Sequence, residues 1–372
     1  MHEFDIDYSE LMGWKMECIP ECGLCCLCQA EVLPLERQFF RQNHPRQLVK
    51  KDHPHNHLAL ALKKGKGSCV FLQDRRCSIY HDRPAFCRQF PFHFHVGERV
   101  KVELDLSCRG LWTGQGQEAI MEAKELATTA NDRLARALKQ SVPVYREFHE
   151  NCHSAGVYAD PVNLRAQTAE RLDRFTDLGF LGQLMLASYD DPEMDLREMD
   201  DKEFRYDYQE LEEAAREAAL GSMASQDPVN IPVYCDGKWS WNLFMAHKDG
   251  IDWKVLTDEG DLQHRGFVES SQVGLLPLRP EGEALLRRYV GILNQRDSFL
   301  GNVYHLVDNF GYEDHVSNVY FGSLSVTVVD LIWRASMLSH FFGHELGQEG
   351  VREAIIFYDM DRLDAPSIGA FV

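Results

Sequence analysis

Apolar positions are sparse and irregular over the first 113 residues and become strongly periodic beyond them. In the first part, EVLPLERQFFRQN (31–43) places Val32, Leu35, Phe39 and Phe40 close to i, i+3, i+7 and i+8, which predicts a first helix. The following stretch up to Ser68 reads as loop, a short strand and a Gly-rich turn before Cys69. From 115 the texture changes: GQEAIMEAKELATTANDRLARALKQ has the composition and three-to-four spacing of an amphipathic helix. A second helix is expected over 162–187, entered at Pro161 and carrying Leu164, Leu172, Phe175, Leu178, Phe180 and Leu181 on its apolar face. The acidic run over 190–220 reads as a solvated helix or linker.

Residues 230–268 switch to strand texture. Aromatic and β-branched runs are punctuated by Asp236-Gly237, Asp249-Gly250 and Glu259-Gly260, the pattern of a small antiparallel meander with Trp239, Trp241 and Trp253 expected in its core. After Pro277 and Pro280 helical periodicity returns in EGEALLRRYVGILNQ, VTVVDLIWRASMLSHFF and GVREAIIFYDMDRL, and no internal repeat is evident. The expected architecture is α+β, mainly α. A small cysteine-rich metal-binding domain (1–113) is followed by a mainly helical domain (114–372) with an inserted β meander at about 230–268. With 372 residues and 44% hydrophobic side chains, the chain can bury a sizeable core without disulfide help.

Charge sharpens this division. The net charge is −19, yet residues 36–110 hold fifteen Lys and Arg against seven Asp and Glu, a net of +8, leaving −27 on the rest. A strongly acidic body argues against general binding to nucleic acid or an anionic membrane, which both rest on attraction to phosphate. The local positive charge either offsets thiolates or marks a docking face for an acidic protein partner. The start, MHEFDIDYSELMGWK, lacks the basic and apolar segments of a signal peptide, and no run of about 18 apolar residues stands out, so the expectation is a soluble, cytoplasmic protein.

Eight of eleven cysteines then form an ordered set: Cys18, Cys22, Cys25 and Cys26 close together, and Cys69, Cys77, Cys87 and Cys108 dispersed. In a reducing compartment, clustered thiols are expected as metal ligands rather than disulfides. Thiolate sulfur lies about 2.3 Å from zinc or iron, so short spacings let one loop deliver several ligands while distant cysteines close the site. Adjacent Cys25 and Cys26 project differently, which leaves room for one centre or two. Cys152 and Cys235 are expected to be buried and inert. The role of Cys28 is open.

These residues resemble the YkgJ-type cysteine cluster family, the CxxCxxCC zinc- or iron-chelating domains. The resemblance lies in CIPECGLCC (18–26), CVFLQDRRCSIYHDRPAFCRQFPF (69–92) and SCRGL (107–111), with a first spacing of x3 where x2 is commoner. It covers the first 111 residues and implies metal binding, as an iron–sulfur cluster, at the eight matched cysteines. The cysteine region is also similar to that of flagellin lysine N-methylases, which use S-adenosylmethionine. No strand followed by G-x-G-x-G stands out for a methyl donor, Gly114 and Gly116 forming only a weak pair.

Eight thiolates exceed what one tetrahedral zinc takes, so a 4Fe–4S cluster, in one or two centres, is preferred, with zinc as the alternative. Arg83, Arg88 and Arg109 are expected to pair with backbone or carboxylate, and Tyr80, Phe90, Pro91 and Phe92 to form an apolar lid. His53, His55 and His57 read as a solvated loop. His93 and His95 are equally placed to touch the centre or to miss it, and His340 and His344, four apart on a helix, read as ordinary helix residues. Three functional readings follow: an iron–sulfur protein in electron transfer, metal delivery or maturation of a partner; a lysine N-methylase; or a structural zinc scaffold. Whether the chain is an enzyme stays open.

Overall fold

The computed structural model describes residues 4–53, 56–190, 193–199, 207–224 and 233–371. The cysteine-rich part contributes two short helices, α1 (Arg37–Asn43) and α2 (Ala85–Gln89). α1 starts later than expected because Pro34 stands in the segment before it and the Glu36 side chain turns back to accept from Leu33 N. The stretch before Cys69 is a hairpin rather than one strand, pairing Leu48–Lys51 with His57–Leu60. His53 lies in its connection and His55 outside the described residues.

The helical part opens with α3 (Ala119–Ala155), which runs 37 residues, past Pro143 and beyond the amphipathic stretch that predicts it. The single helix expected over 162–187 is two. α4 (Pro161–Glu170) is capped by Asp160, and α5 (Leu178–Asp190) restarts at Asp177, whose Oδ1 accepts from Gly179 N and Phe180 N. α6 (Tyr208–Ala224) occupies the end of the acidic run, part of which lies outside the described residues.

The meander follows as Tyr234–Cys235, Trp241–His247, Gly250–Leu256 and Leu262–Glu269 in sequential antiparallel order. The Trp241 side chain is fully buried, and Trp253 packs against Phe341 and Phe342. Four helices complete the body: α7 (Pro280–Gln295), α8 (Asp297–Asn309), α9 (Val316–Phe342) and α10 (Gln348–Leu363). α8 is absent from the sequence reading although Phe299, Leu300, Val303, Tyr304 and Val307 keep the three-to-four spacing of an apolar helix face. α9 is long and apolar enough to cross a membrane by composition, but 78% of that window is buried, against α5, α6, α8 and α10. Its apolar character is that of a central core helix.

A four-stranded sheet joins the two ends of the chain. Its order is Ile6–Asp7, Val100–Leu104, Phe92–Val96 and Ala370–Phe371, the first pair parallel and the rest antiparallel. In Phe92–Val96 the period-2 alternation turns Phe92, Phe94 and Val96 into the main apolar core, which continues through α3 to α10. Next to this sheet Arg296, 1% exposed, donates to Glu10, to Asp359 and to the Leu104 carbonyl, while Asp359 also accepts from Leu106 N and Tyr289. That junction fixes the segment leading to Cys108 onto α10. Arg296→Ala leaves two buried carboxylates without their cation and is expected to cost about 3–5 kcal/mol. Urea unfolding with an unchanged m-value checks it.

Candidate metal centre

The site is assembled by backbone bonds between segments far apart in sequence. Residues 18–26 form an irregular turn in which Glu21 and Gly23 have positive φ, and Cys26 N closes on Gly23 O. Cys69 N donates to Cys26 O at 2.7 Å, tying the second cysteine segment to the first. Cys77 ends a hairpin, Leu72–Gln73 with Arg76–Cys77, whose two-residue loop Asp74-Arg75 has φ of 49° and 59°, the signature of a type I′ turn. Cys87 sits in α2, whose Ala85 N is held by Glu36 Oε1 at 2.7 Å. Cys108 is delivered by the Arg296 junction and a turn onto Gly110. A Cβ on Gly110 would stand 2.0 Å from Glu17 O, so only glycine lets the 108–110 turn close on the residue preceding Cys18.

These segments enclose a cavity of about 440 Å³ lined by nine thiols: Cys18, Cys22, Cys25, Cys26, Cys69, Cys77, Cys87 and Cys108, joined by Cys28. All eight expected residues are therefore brought together, and none of the eleven cysteines is bridged. Cys26 is within hydrogen-bond reach of both Cys25 and Cys77. Among the described residues no three Cys, His, Asp or Glu side chains already stand at the spacing of a single bound ion.

Burial distributes charge unevenly over these sulfurs. Cys77 is drawn down to about 6 by the hydrogen bond from Cys26, helped by Arg83, and Cys22 to about 7 by a hydrogen bond from Cys235, helped by Arg109 and Arg75. Cys25 is also lowered by Cys26, which is raised in return. Desolvation raises Cys18, Cys69, Cys87 and Cys108, and takes Cys28 up to about 11. A few thiolates among many protonated thiols are what a cation can recruit first, after which its charge favours deprotonation of the rest.

The surroundings answer several expectations. Arg83 pairs with Glu122 at 3.5 Å and lies over Tyr80, Arg88 pairs with Glu125 at 3.7 Å, and Arg109 pairs with Glu353. Tyr80, Phe90 and Pro91 line the cavity, whereas Phe92 faces the main core. Neither His93 nor His95 lines it: His93 lies 3.8 Å from Asp105, and His95 is buried against Tyr145. His340 and His344 do not share a helix face, because α9 stops at Phe342 and Gly343, with φ of 76°, turns the chain away. Gly116 approaches Met16 O and shapes the turn that lays Gln117–Glu118 on Lys15–Met16, which accounts for the Gly114/Gly116 pair. Part of the basic charge is met within the chain, since Lys63, Lys64, Lys66 and Arg75 pair with Asp258, Glu259 and Asp261 of the meander.

One residue is misplaced by the sequence reading. Cys235 is buried as expected, but its sulfur stands 3.8 Å from that of Cys22, beside the cavity. Across a separation of 213 residues no spacing rule links the two. The strand-ending position of Cys235 before Asp236-Gly237 was the only local signal.

Fold and site together define a cysteine-rich N-terminal domain carried on a helical body with a β meander. Residues 17–109 match the family model CxxCxxCC, described as "Putative zinc- or iron-chelating domain", and the match takes in Cys18 through Cys108. No curated protein and no solved structure matches the chain. Gly110→Ala is expected to destabilise the fold by about 1–3 kcal/mol through overpacking, and to weaken metal retention with it. Gly221→Ala, where an added Cβ meets nothing within 4 Å in α6, is the matched control and should be neutral or stabilising. Thermal unfolding and metal analysis of the two variants check the pair.

Proposed function

We propose that the cavity holds an iron–sulfur cluster of the 4Fe–4S type, and that the chain serves electron transfer, metal delivery or maturation of a partner protein. The observation that carries this is the meeting of nine thiols, from segments spread over residues 18–108, around one space of about 440 Å³. A tetrahedral zinc ion closes directly on four donors, whereas this donor set exceeds four and surrounds room for a polynuclear core. The chemistry of the lining suits such a group: thiolate donors, Arg75 and Arg83 to moderate negative charge, and Phe71, Leu72, Phe90 and Pro91 to limit water. We assign Cys18, Cys22, Cys25, Cys26, Cys69, Cys77, Cys87 and Cys108 as the ligand set of one or two centres.

When bound, the cluster supplies one-electron redox chemistry or labile iron and sulfide. The chain's own residues position the thiols, neutralise them and shield them. Cys18 is exposed, so the ligand set reaches the protein surface, where a protein partner can approach. We place that meeting in the cytoplasm, where thiols stay reduced. Anaerobic purification followed by iron and acid-labile sulfide analysis tests the reading. Near-stoichiometric iron and sulfide with visible charge-transfer absorption is the expected result; one zinc per chain and no colour would replace the cluster with a structural zinc scaffold.

A further inference from the structure

The β meander places a thiol that the matched domain does not contain against the cavity. Cys235 is fully buried, and its Sγ lies 3.8 Å from Cys22 Sγ. The approach is fixed from both sides. Trp241 Nε1 donates to the Cys22 carbonyl at 2.8 Å, and the Arg75 guanidinium stacks 3.6 Å over the Trp241 ring, so the turn carrying Cys22 is clamped to the meander. Arg109, next to Cys108, donates to the Cys235 carbonyl, and its Glu353 partner also accepts from Tyr234 at 2.6 Å. Beyond Cys235, Asp236 Oδ1 accepts from Lys238 N and Ser240 N at 2.8 Å each, which rigidifies the exit from the strand.

Two sulfurs bound to one tetrahedral metal atom, each about 2.3 Å from it, are separated by about 3.8 Å. The Cys22–Cys235 pair already stands at that separation, one sulfur on the turn of residues 18–26 and the other at the end of the strand Tyr234–Cys235. We infer that Cys235 is a metal ligand, sharing one metal atom with Cys22, so that the centre is completed by the C-terminal body rather than by the cysteine-rich domain alone. This rests on the reading of the cavity as a metal site. Each iron of a 4Fe–4S cluster takes one cysteine, and seven other family cysteines remain for such a cluster, so the shared atom belongs to a neighbouring centre.

The test is Co²⁺ titration of the reduced full-length chain with a competing chelator, following thiolate-to-cobalt absorption, for wild type, Cys235→Ser, Cys22→Ser and Cys152→Ser. Cys152 is the control, a buried thiol in α3 remote from the cavity lining. Loss of Cys235 is expected to weaken cobalt binding roughly 10- to 100-fold or more and to reduce the charge-transfer intensity, as loss of Cys22 does, while Cys152→Ser behaves as wild type. Far-UV circular dichroism confirms folding, and Cys235→Ala replaces the serine variant if that fails to fold. Wild-type behaviour of Cys235→Ser alongside a defective Cys22→Ser overturns the inference and leaves the metal site standing. A Cys22–Cys235 cystine in the anaerobically isolated protein, seen by non-reducing peptide mass mapping, overturns it as well. Absence of any cobalt binding by wild type defeats the metal reading itself.

Discussion

Arg109 is the contact on which the arrangement turns. It follows Cys108 directly, its guanidinium is buried against Glu353 of α10, and its Nε holds the carbonyl of Cys235 in the meander. A buried ion pair adds little to net stability over an apolar substitute, but losing one partner leaves a charge without water or counter-ion. Its value here is therefore geometric. It requires the last matched cysteine, the first strand of the meander and α10 to be correctly placed together, and the Arg296 junction repeats that logic through Asp359, six residues further along α10.

From this constraint the rest of the chain acquires a role. The cysteine-rich segment has a small apolar cluster of its own, around Val32, Phe40, Leu58 and Phe71, but the sheet beside it is finished by residues 370–371 and its main apolar face belongs to the helical core. The meander packs Trp241 against the turn of Cys22 and answers the lysines of 63–66 with its own carboxylates. Exposed pairs of that kind contribute little individually, yet they line up the same two surfaces that the buried contacts clamp. The helical body is the mould that presses thiols into one cavity.

Much of this was legible in the sequence for physical reasons that are local. The eight ligand candidates, the X-Gly turns of the meander and the amphipathic helices α3, α7 and α10 each leave a signature within a short window. What was not legible depends on distant partners. The alternation in Phe92–Val96 and Val100–Leu104 is a strand signal, but nothing local shows that Ile6–Asp7 and Ala370–Phe371 complete their sheet. Between α4 and α5 the chain makes a 3-10 turn over Leu172–Thr176, and Asp177 then restarts the helix. Cys235 reads as an inert core cysteine until the fold carries it to Cys22, and sequence leaves His93 and His95 evenly placed between touching the centre and missing it, where the structure keeps both out of the cavity lining.

The central claim is that sulfurs distant in sequence converge on one inorganic core. Anomalous scattering at the iron and zinc edges, from crystals of protein purified and grown without oxygen, tests it most directly. The account predicts strong iron signal inside the cavity bounded by Cys22, Cys26, Cys77, Cys87 and Cys108. An empty cavity with those residues paired as cystines, or metal bound only elsewhere on the molecule, would contradict it.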